Sequence, residues 1–328
     1  MASRLARLVL VLGGAGVVAY LLHEVGPGVV WASIRALGWR LPIVLLVPFS
    51  AAAVLDTLGW RILLARRVPF TVLLRARLAG EAVNLTTPTA SVGGEPLKAY
   101  LLRPYLPLAD GFASVVVDKT TGVAGQAVLL LLGLCLAASR LPLGSPVMLA
   151  MAGLFAVQIL AVSGFILVQT LGVFGGGGRL LGRMGVGPGQ RYQEGLNVVD
   201  HRLRRFYREH RGRVLGSTLL HSGAWAIGSV EIYLVLAFLG VGPSLVTAFV
   251  IEAFGSAVKF ASFMIPASLG ALEGGYIAVF GALGLGGALG LSYTLIRRIR
   301  EAIWAALGLL WLASLGARPS LGNEDPAA

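Results

Sequence analysis

Two short segments carry acidic side chains at the same distance from a proline. Glu95 follows Pro88 by seven residues, and Glu273 follows Pro266 by seven residues. Two further pairs of charged residues keep matching positions around these segments: Glu81 with Lys259, and Lys119 with Arg297. Carboxylates set among cations can pair with one another or exchange partners with a charged substrate. The spacing therefore predicts two related sites of polar chemistry.

The glycine pair at Gly93 and Gly94 predicts that a half-helix begins in the first segment. Unpaired N–H groups at its start would favour an anion, and Lys98 and Arg103 would add cations on the same half-helix. A phosphate group is a natural guest of such a site. When the site is empty, we expect the two glutamates to pair with nearby cations: Lys98, Lys119, Lys259 or Arg297. The alternative is a network of buried ion pairs with a purely structural role.

Composition indicates a membrane protein. Of the 328 residues, 56% are hydrophobic and only 13% are charged, and the mean hydropathy is +0.82. The net charge of +12 comes from arginines between apolar spans, so it indicates topology and lipid contact and not nucleic-acid binding. Cys135 is the single cysteine, which excludes an intramolecular disulfide, and the four histidines lack metal-ligand spacing. We expect no metal and no cofactor.

The two segments are displaced by 178 residues, which favours an internal duplication. We predict an all-α polytopic membrane protein with two internal repeats and broken or re-entrant helices. A single transmembrane domain, 1–328, would comprise a first repeat at about 41–140, a cytoplasmic basic loop at about 175–213 and a second repeat at about 214–315. Chance matches in a chain rich in glycine and alanine are the alternative.

The apolar runs predict the order of the spans. The first, Leu8 to Leu22, is expected to be retained with its N-terminus in the cytoplasm. The others are Leu41 to Leu64, a broken stretch from Ala79 to Tyr105, Phe112 to Ala138, Ser145 to Phe174, Val214 to Leu239, Ser244 to Ile265, a second broken stretch from Pro266 to Gly290, and Leu291 to Leu315. Arginine-rich segments at 61–77 and 179–213 are predicted to be cytoplasmic.

Apolar residues recur at helical spacing from Leu196 to Arg211. The opposite face carries Arg202, Arg204, Arg205 and Arg208. This pattern predicts a basic amphipathic helix on an anionic leaflet, with a solvated helix as the alternative.

Several charged side chains fall at predicted membrane depth, among them Asp56, Asp118, Glu231 and Glu252. Each charge at a helix centre costs about 2.5 to 3.5 kcal/mol on insertion scales. Eight of them facing lipid would cost on the order of 20 kcal/mol, more than the stability of an ordinary domain. We therefore expect them to face each other or a water-filled cavity, as along a transport pathway.

Enzyme signatures are weak by comparison. Lys98 with Arg103-Pro104 is similar to a lipid phosphatase motif, but the spacing is short and no nucleophilic histidine follows. His221 and Ser222 do not stand apart from ordinary packing residues. We predict that the protein is not an enzyme, although an enzyme acting on a lipid phosphate remains a third hypothesis.

The motif from Asn84 to Glu95 with Lys98, the run Ala113 to Lys119 and the run Pro266 to Glu273 resemble the flippase-like membrane family. That family includes the transmembrane half of lysylphosphatidylglycerol synthases. Within it, Gly-Gly-Glu-Pro-Leu-Lys98 and Val-Asp-Lys119 look most like the hopanoid-biosynthesis-associated membrane proteins. Because the sequence given runs to Ala328 without a soluble aminoacyl-transfer domain, we expect no lysyl transfer.

The resemblance implies two repeated halves that handle lipids between leaflets. It places Gly93, Gly94, Glu95, Lys98, Lys119, Pro266, Gly270 and Glu273 along the headgroup route. The charged and broken stretches add the remaining candidates for this pathway: Glu81, Asn84, Pro88, Arg103, Asp118, Lys259 and Arg297.

We predict a lipid flippase or transporter of the bacterial inner membrane, linked to hopanoid biosynthesis or transport. Its partners would be anionic phospholipid, polyprenyl phosphate or hopanoid, and a homo-oligomer is left open. The alternative is a non-transporting membrane scaffold for lipid-biosynthesis enzymes.

Overall fold

The computed structural model of the protein describes residue 23 and residues 27–87, 93–171 and 190–316. Every regular element in these ranges is a helix, which confirms the all-α prediction. The predicted first span, the glycine-rich linker after residue 171 and the proline Pro88 lie outside the described residues.

The first half begins with helix α1 (Pro27–Leu37) and a 3₁₀ turn (Gly38–Arg40). It continues with α2 (Leu41–Leu63), α3 (Phe70–Thr86), α4 (Gly94–Leu101) and α5 (Leu108–Ala137). Helix α4 starts at the predicted glycine pair. The short helices α3 and α4 confirm the expected break in the first polar stretch.

Helices α6 (Pro146–Leu171) and α7 (Gln190–Glu209) connect the halves. The second half contains α8 (Arg211–Phe238), α9 (Leu245–Ala261), a 3₁₀ turn (Pro266–Ser268), α10 (Ala271–Ala282) and α11 (Gly287–Gly316). The segment Ser244 to Ile265, which the sequence predicts as a full span, forms a helix only as far as Ala261. Its backbone then turns, with positive φ angles at Ala267 and Ser268, and so α9 and α10 form a hairpin.

Four segments of the described residues are long and apolar enough to cross a membrane: Trp31–Leu63, Leu108–Ala137, Pro146–Leu171 and Arg211–Phe238. The helices of the two hairpins are shorter or more polar. A helix rises about 1.5 Å per residue, so the 17 residues of α3 or α9 extend about 25 Å, less than the roughly 30 Å of hydrocarbon. Short arms of this kind suit re-entrant hairpins that lie among the spanning helices.

Helices α2 and α8 pack side by side in opposite directions. A Cβ atom built on Gly216 would lie 3.2 Å from Cδ1 of Ile62, and one built on Gly223 would lie 3.3 Å from Cδ1 of Leu55. Residue numbers thus rise along α8 as they fall along α2. The end of α2 and the start of α8 lie at the same face of the protein.

The two halves repeat one order of helices. A long helix, a 17-residue helix, a short helix and a 30-residue helix appear as α2 to α5 and again as α8 to α11. The packing crosses between halves, because α3 packs against α11 and α9 packs against α5. A duplicated chain folded about a two-fold axis would pack in this way, and the duplication itself stays a prediction.

Candidate functional site

The first hairpin holds a compact ion-pair network. Lys98 on α4 is 2% exposed, and its Nζ lies 2.8 Å from Oε1 of Glu81 on α3. The same nitrogen lies 3.2 Å from Oε2 of Glu95. On α5, Nζ of Lys119 lies 3.3 Å from the other oxygen of Glu95, Oε1. Three helices are therefore joined through two carboxylates and two amines.

Asn84 fixes the start of α4 against the end of α3. Its Oδ1 accepts a hydrogen bond of 2.7 Å from the backbone N–H of Gly94, and its Nδ2 donates to Oε1 of Glu95 at 3.2 Å. The first N–H groups of a helix have no partner within the helix. Asn84 supplies one such partner and orients the Glu95 carboxylate toward the amines.

The second hairpin is organised around Glu273, which is fully buried at the start of α10. Its Oε2 accepts a 2.8 Å hydrogen bond from the backbone N–H of Gly270, and its Oε1 accepts one of 2.9 Å from Nε of Arg298 on α11. Arg298 also donates to the carbonyl oxygen of Ala267 at 2.6 Å and to Oε2 of Glu301 at 2.9 Å. One guanidinium thus holds the turn between the hairpin arms.

Two more cations belong to this half. Nζ of Lys259 on α9 lies 3.8 Å from Oε1 of Glu301, and 42% of the lysine side chain is exposed. Arg297 is buried and donates to Oε2 of Glu252 at 3.0 Å and to the hydroxyl of Tyr276 at 2.7 Å. Lys259 therefore faces open space, whereas Arg297 ties three helices together.

A cavity of about 390 Å³ lies between the end of α3, the turn of the second hairpin and α11. We call it the opening between the hairpins. Thr86 at the end of α3 and Ala267 in the second turn lie on its wall, and Arg298 and Glu301 supply its polar groups. The apolar lining comes from Leu85, Leu269, Ala302, Ala305, Ala306 and Leu309. The opening thus offers charge at one part of its wall and small apolar side chains at another.

Asp118 belongs to a neighbouring cluster. Nη1 of Arg77 lies 3.2 Å from its Oδ2, and Nη2 lies 3.2 Å from Oδ2 of Asp56. His221 on α8 contacts both carboxylates. Since Lys119 follows Asp118 directly, α5 joins this cluster to the network of the first hairpin.

Comparison with known proteins decides the family. A family model described as the transmembrane region of lysylphosphatidylglycerol synthase matches residues 4–308. This chain belongs to that family. A UPF0104 membrane protein of Methanothermobacter thermautotrophicus is 25% identical over 257 residues, which cover 74% of this chain and 75% of the relative. No solved structure matches the chain.

The resemblance to the family that includes the transmembrane half of lysylphosphatidylglycerol synthases is thereby confirmed. The likeness to hopanoid-biosynthesis-associated membrane proteins stays a prediction. The matched family model describes a transmembrane region, which agrees with the four candidate spans of the described residues. The family description concerns a transmembrane region, and the relative's name gives no activity. In the described residues, no group of three histidine, cysteine or acidic side chains is arranged to hold a metal ion.

The structure places most of the predicted pathway residues in one of two clusters, one in each hairpin, but not all of them. Arg103 lies beyond the end of α4, exposed, with its guanidinium 5.0 Å from the centre of the Tyr100 ring. It does not join the network around Lys98. Gly270, with φ of 79°, caps α10, and Pro266 begins the 3₁₀ turn. These two residues shape the second hairpin.

Several polar residues of these clusters are absent from the predicted set of pathway residues, among them Arg77, His221, Arg298 and Glu301. Arg77 was assigned to the cytoplasmic arginine-rich segment, but it lies within α3 with only 13% of its side chain exposed. Its position four residues before Glu81, one helical turn, is a signal that the sequence did contain. The three-residue spacing of Arg298 and Glu301 on one helix is a second signal that the sequence contained.

The basic helix α7 packs against the protein along its apolar side. Val199 and Leu203 are buried against Leu63 of α2 and Val117 of α5, together with other side chains of α5. Arg202 pairs with Asp110 at the start of α5, and Arg204 donates to the carbonyl oxygen of Leu171. The cationic side therefore remains at the surface, and its contact with an anionic leaflet stays a prediction.

Proposed function

We propose that the protein moves a membrane lipid between the leaflets of the bacterial inner membrane, with the polar headgroup passing between the two hairpins. The observation that carries the proposal is a set of three half-exposed charges in the interior: Glu81, Lys119 and Lys259, whose side chains are 47%, 38% and 42% exposed. Glu81 on α3 and Lys259 on α9 come from different halves, and Lys259 lies 3.8 Å from Glu301, which lines the opening between the hairpins. We infer that the three charges border one shared space.

The depth of these residues supports the proposal. Glu81 stands eleven residues after the start of α3, and Lys119 stands eleven after the start of α5. At about 1.5 Å per residue this is about 16 Å, half of the roughly 30 Å hydrocarbon thickness. A charge exposed to lipid at that depth costs several kcal/mol, so we infer that these side chains face water or a polar headgroup.

The opening between the hairpins supplies the other requirement of a lipid path. A lipid needs polar partners for its headgroup and apolar surface for its chains. Arg298 and Glu301 provide the first, and the wall that contains Ala305 and Leu309 provides the second. The broken backbone of the second turn, which includes Ala267, is tolerated at membrane depth where it is buried or lines such a cavity. We propose transport and no catalytic step.

The substrate that we propose is a lipid with an anionic headgroup, because two of the three half-exposed charges, Lys119 and Lys259, are cations. Phosphatidylglycerol, a polyprenyl phosphate and a hopanoid form the panel that tests this preference. Fluorescently labelled lipids in proteoliposomes report movement between leaflets through dithionite quenching. We expect the parent protein to move an anionic lipid faster than protein-free vesicles do.

The test variant carries both Lys119→Gln and Lys259→Gln. The control variant is Arg140→Gln, in an exposed loop. We expect the double variant to slow movement at least about tenfold, because each lost charge contact to the headgroup is worth about 1.5 to 3 kcal/mol. Arg140→Gln should leave the rate unchanged. Failure of the parent to move any lipid would contradict the proposal and favour a non-transporting scaffold.

A further inference from the structure

His221 lies between two carboxylates in the interior of the protein. Its Nδ1 is 2.6 Å from Oδ1 of Asp56 on α2, and its Nε2 is 2.9 Å from Oδ1 of Asp118 on α5. The imidazole is 1% exposed. Gly59 and Gly125 allow this approach, because a Cβ on either would lie 3.0 Å or less from His221 atoms.

These contacts require one proton beyond those of a neutral histidine. A carboxylate oxygen can only accept a hydrogen bond, and a neutral imidazole has a single N–H to donate. Two contacts of hydrogen-bond length therefore require a second proton, either on the imidazole or on one of the aspartic acids. When that proton leaves, the imidazole keeps one N–H, and one of its two carboxylate contacts becomes a repulsion between lone pairs.

The surrounding charges are balanced only when the proton is present. Arg77 from α3 contacts both aspartates at 3.2 Å, so the protonated cluster has two positive and two negative charges. Without the proton its net charge is −1. A hydroxyl pair, Thr121 with Ser217, lies one turn from the histidine.

Charged groups on the other helices packed against α8 lie farther along it or are already paired. Glu252 on α9 approaches Gly228, two turns beyond His221, and pairs with Arg297. Arg300 on α11 pairs with Glu231, ten residues beyond His221. Helix α7 ends at Glu209, twelve residues before it. Asp56, Asp118 and Arg77 therefore define the electrostatics of the imidazole.

We propose that His221, Asp56 and Asp118 form a proton-binding site that couples lipid movement to the transmembrane proton gradient; this coupling rests on the transport function proposed above. One proton enters from water at Asp56, whose side chain is 26% exposed, and binds between the imidazole and a carboxylate. In a cycle that the gradient drives, the same proton then leaves to water on the face of the membrane opposite the one from which it entered.

The connection to the lipid path is direct. Arg77 stands one helical turn from Glu81 on α3, and Asp118 adjoins Lys119 on α5. A change of one charge in a low-dielectric interior acts strongly over such distances. Loss of the proton leaves Arg77 facing two carboxylates that no longer share an imidazolium. The ion pairs that join α3 of the first hairpin to α2, α5 and α8 thus depend on the proton.

Proton occupancy is tested without any transport. Protein labelled with ¹⁵N-histidine in nanodiscs gives a ring-nitrogen spectrum. The signals that His221→Gln removes belong to His221, whereas the exposed-site variant His23→Gln should remove only the His23 signals and leave those of His221 unchanged. We expect both His221 nitrogens to carry protons at neutral pH, or an infrared band of a protonated aspartic acid that either Asp56→Asn or Asp118→Asn removes. A bare ring nitrogen with both aspartates ionised would overturn the proposed site.

Coupling is tested by lipid movement in proteoliposomes with an imposed pH gradient. We expect the parent rate to change at least about fivefold when the gradient is reversed, the lower end of typical coupling between two sites. Asp56→Asn should fold and lose this response, because its amide donates to a neutral imidazole and removes the need for the extra proton. His23→Gln should respond as the parent does.

The outcomes separate the two proposals. A response in Asp56→Asn equal to that of the parent, or no response in the parent, would overturn coupling while leaving lipid movement established. If no lipid moves at all, both transport and coupling fail, and the nitrogen spectrum still decides whether the proton site exists.

Discussion

Gly94 packs directly on Gly80, so that the start of α4 touches the middle of α3. A Cβ atom on Gly94 would lie 2.0 Å from the carbonyl oxygen of Gly80, and one on Gly80 would lie 2.5 Å from Cε of Lys98. Side chains larger than hydrogen do not fit at either position. The two glycines therefore bring Lys98 within ion-pair distance of Glu81 and close the first hairpin.

Gly94→Ala should destabilise the protein by about 1 to 3 kcal/mol, the usual cost of forcing an extra group into a packed interior. The clash is with backbone, which cannot move aside as a flexible side chain can. Gly122→Ala is the matched control, because a Cβ there meets nothing within 4 Å and lies within α5. Thermal unfolding in detergent should give a lower Tm for the first variant and an unchanged or higher Tm for the second. Equal melting temperatures would contradict the packing argument.

Arg77 should stabilise the protein mainly through the two aspartates. Arg77→Met leaves those carboxylates with one cationic partner fewer, and breaking a buried ion pair costs about 3 to 5 kcal/mol. Arg75→Met on the exposed side of the same helix should change stability by less than about 0.5 kcal/mol.

A double-mutant cycle isolates this interaction. In Arg77→Met with Asp56→Asn, the negative charge that lost its partner is also removed. We expect the double variant to lose less stability than the sum of the single variants, by about 0.5 to 3 kcal/mol. Simple additivity in chemical unfolding would show that Arg77 acts through other contacts.

Sequence reasoning located the break in each hairpin, because proline and glycine breaks beside charged side chains are costly in a membrane and therefore informative. It assigned α9, the first arm of the second hairpin, to a full span. It did not identify the partner of Glu273. The cations expected near the two glutamates were Lys98, Lys119, Lys259 and Arg297. Adjacent residues on a helix point about 100° apart, and the structure turns Arg298, the neighbour of Arg297, toward Glu273 instead. Sequence spacing fixes position along a helix more readily than it fixes the partner across an interface.

The histidine cluster was beyond sequence reasoning for a different reason. His221 is separated from Asp56 by 165 residues and from Asp118 by 103 residues, and no local motif surrounds it. Its neighbours are set by the antiparallel packing of α2 and α8, which follows from tertiary structure. The sequence could show only that charges at such depth need partners.

The partner of Glu273 gives a third prediction. Arg298→Ala removes the guanidinium from a fully buried carboxylate and from the Ala267 carbonyl, and should cost about 3 to 5 kcal/mol. Lys259→Ala removes a half-exposed amine 3.8 Å from Glu301 and should cost less than about 1 kcal/mol. Chemical unfolding of both variants in the same detergent measures the difference. A larger loss for Lys259→Ala would show that the second hairpin is held by the lysine.

The antiparallel packing of α2 and α8 predicts which loops face the cytoplasm. Ala65 follows α2 and is exposed beside Arg61 and Arg66, so we expect it inside under the positive-inside rule. Val241 follows α8 and should lie outside, and so should Gly144, which follows the single crossing made by α5. Equivalent loops of the two halves would then face opposite sides, as in inverted repeats.

Single cysteines introduced into a Cys135→Ser background test this arrangement with a membrane-impermeant maleimide. Gly144→Cys and Val241→Cys should react in intact spheroplasts, whereas Ala65→Cys should react only after lysis. The background variant without an added cysteine should remain unlabelled in both conditions, since Cys135 is the chain's single cysteine. Labelling of Ala65→Cys and Val241→Cys from the same side would mean that α2 and α8 cross the membrane in the same direction, which is incompatible with their packing in the fold.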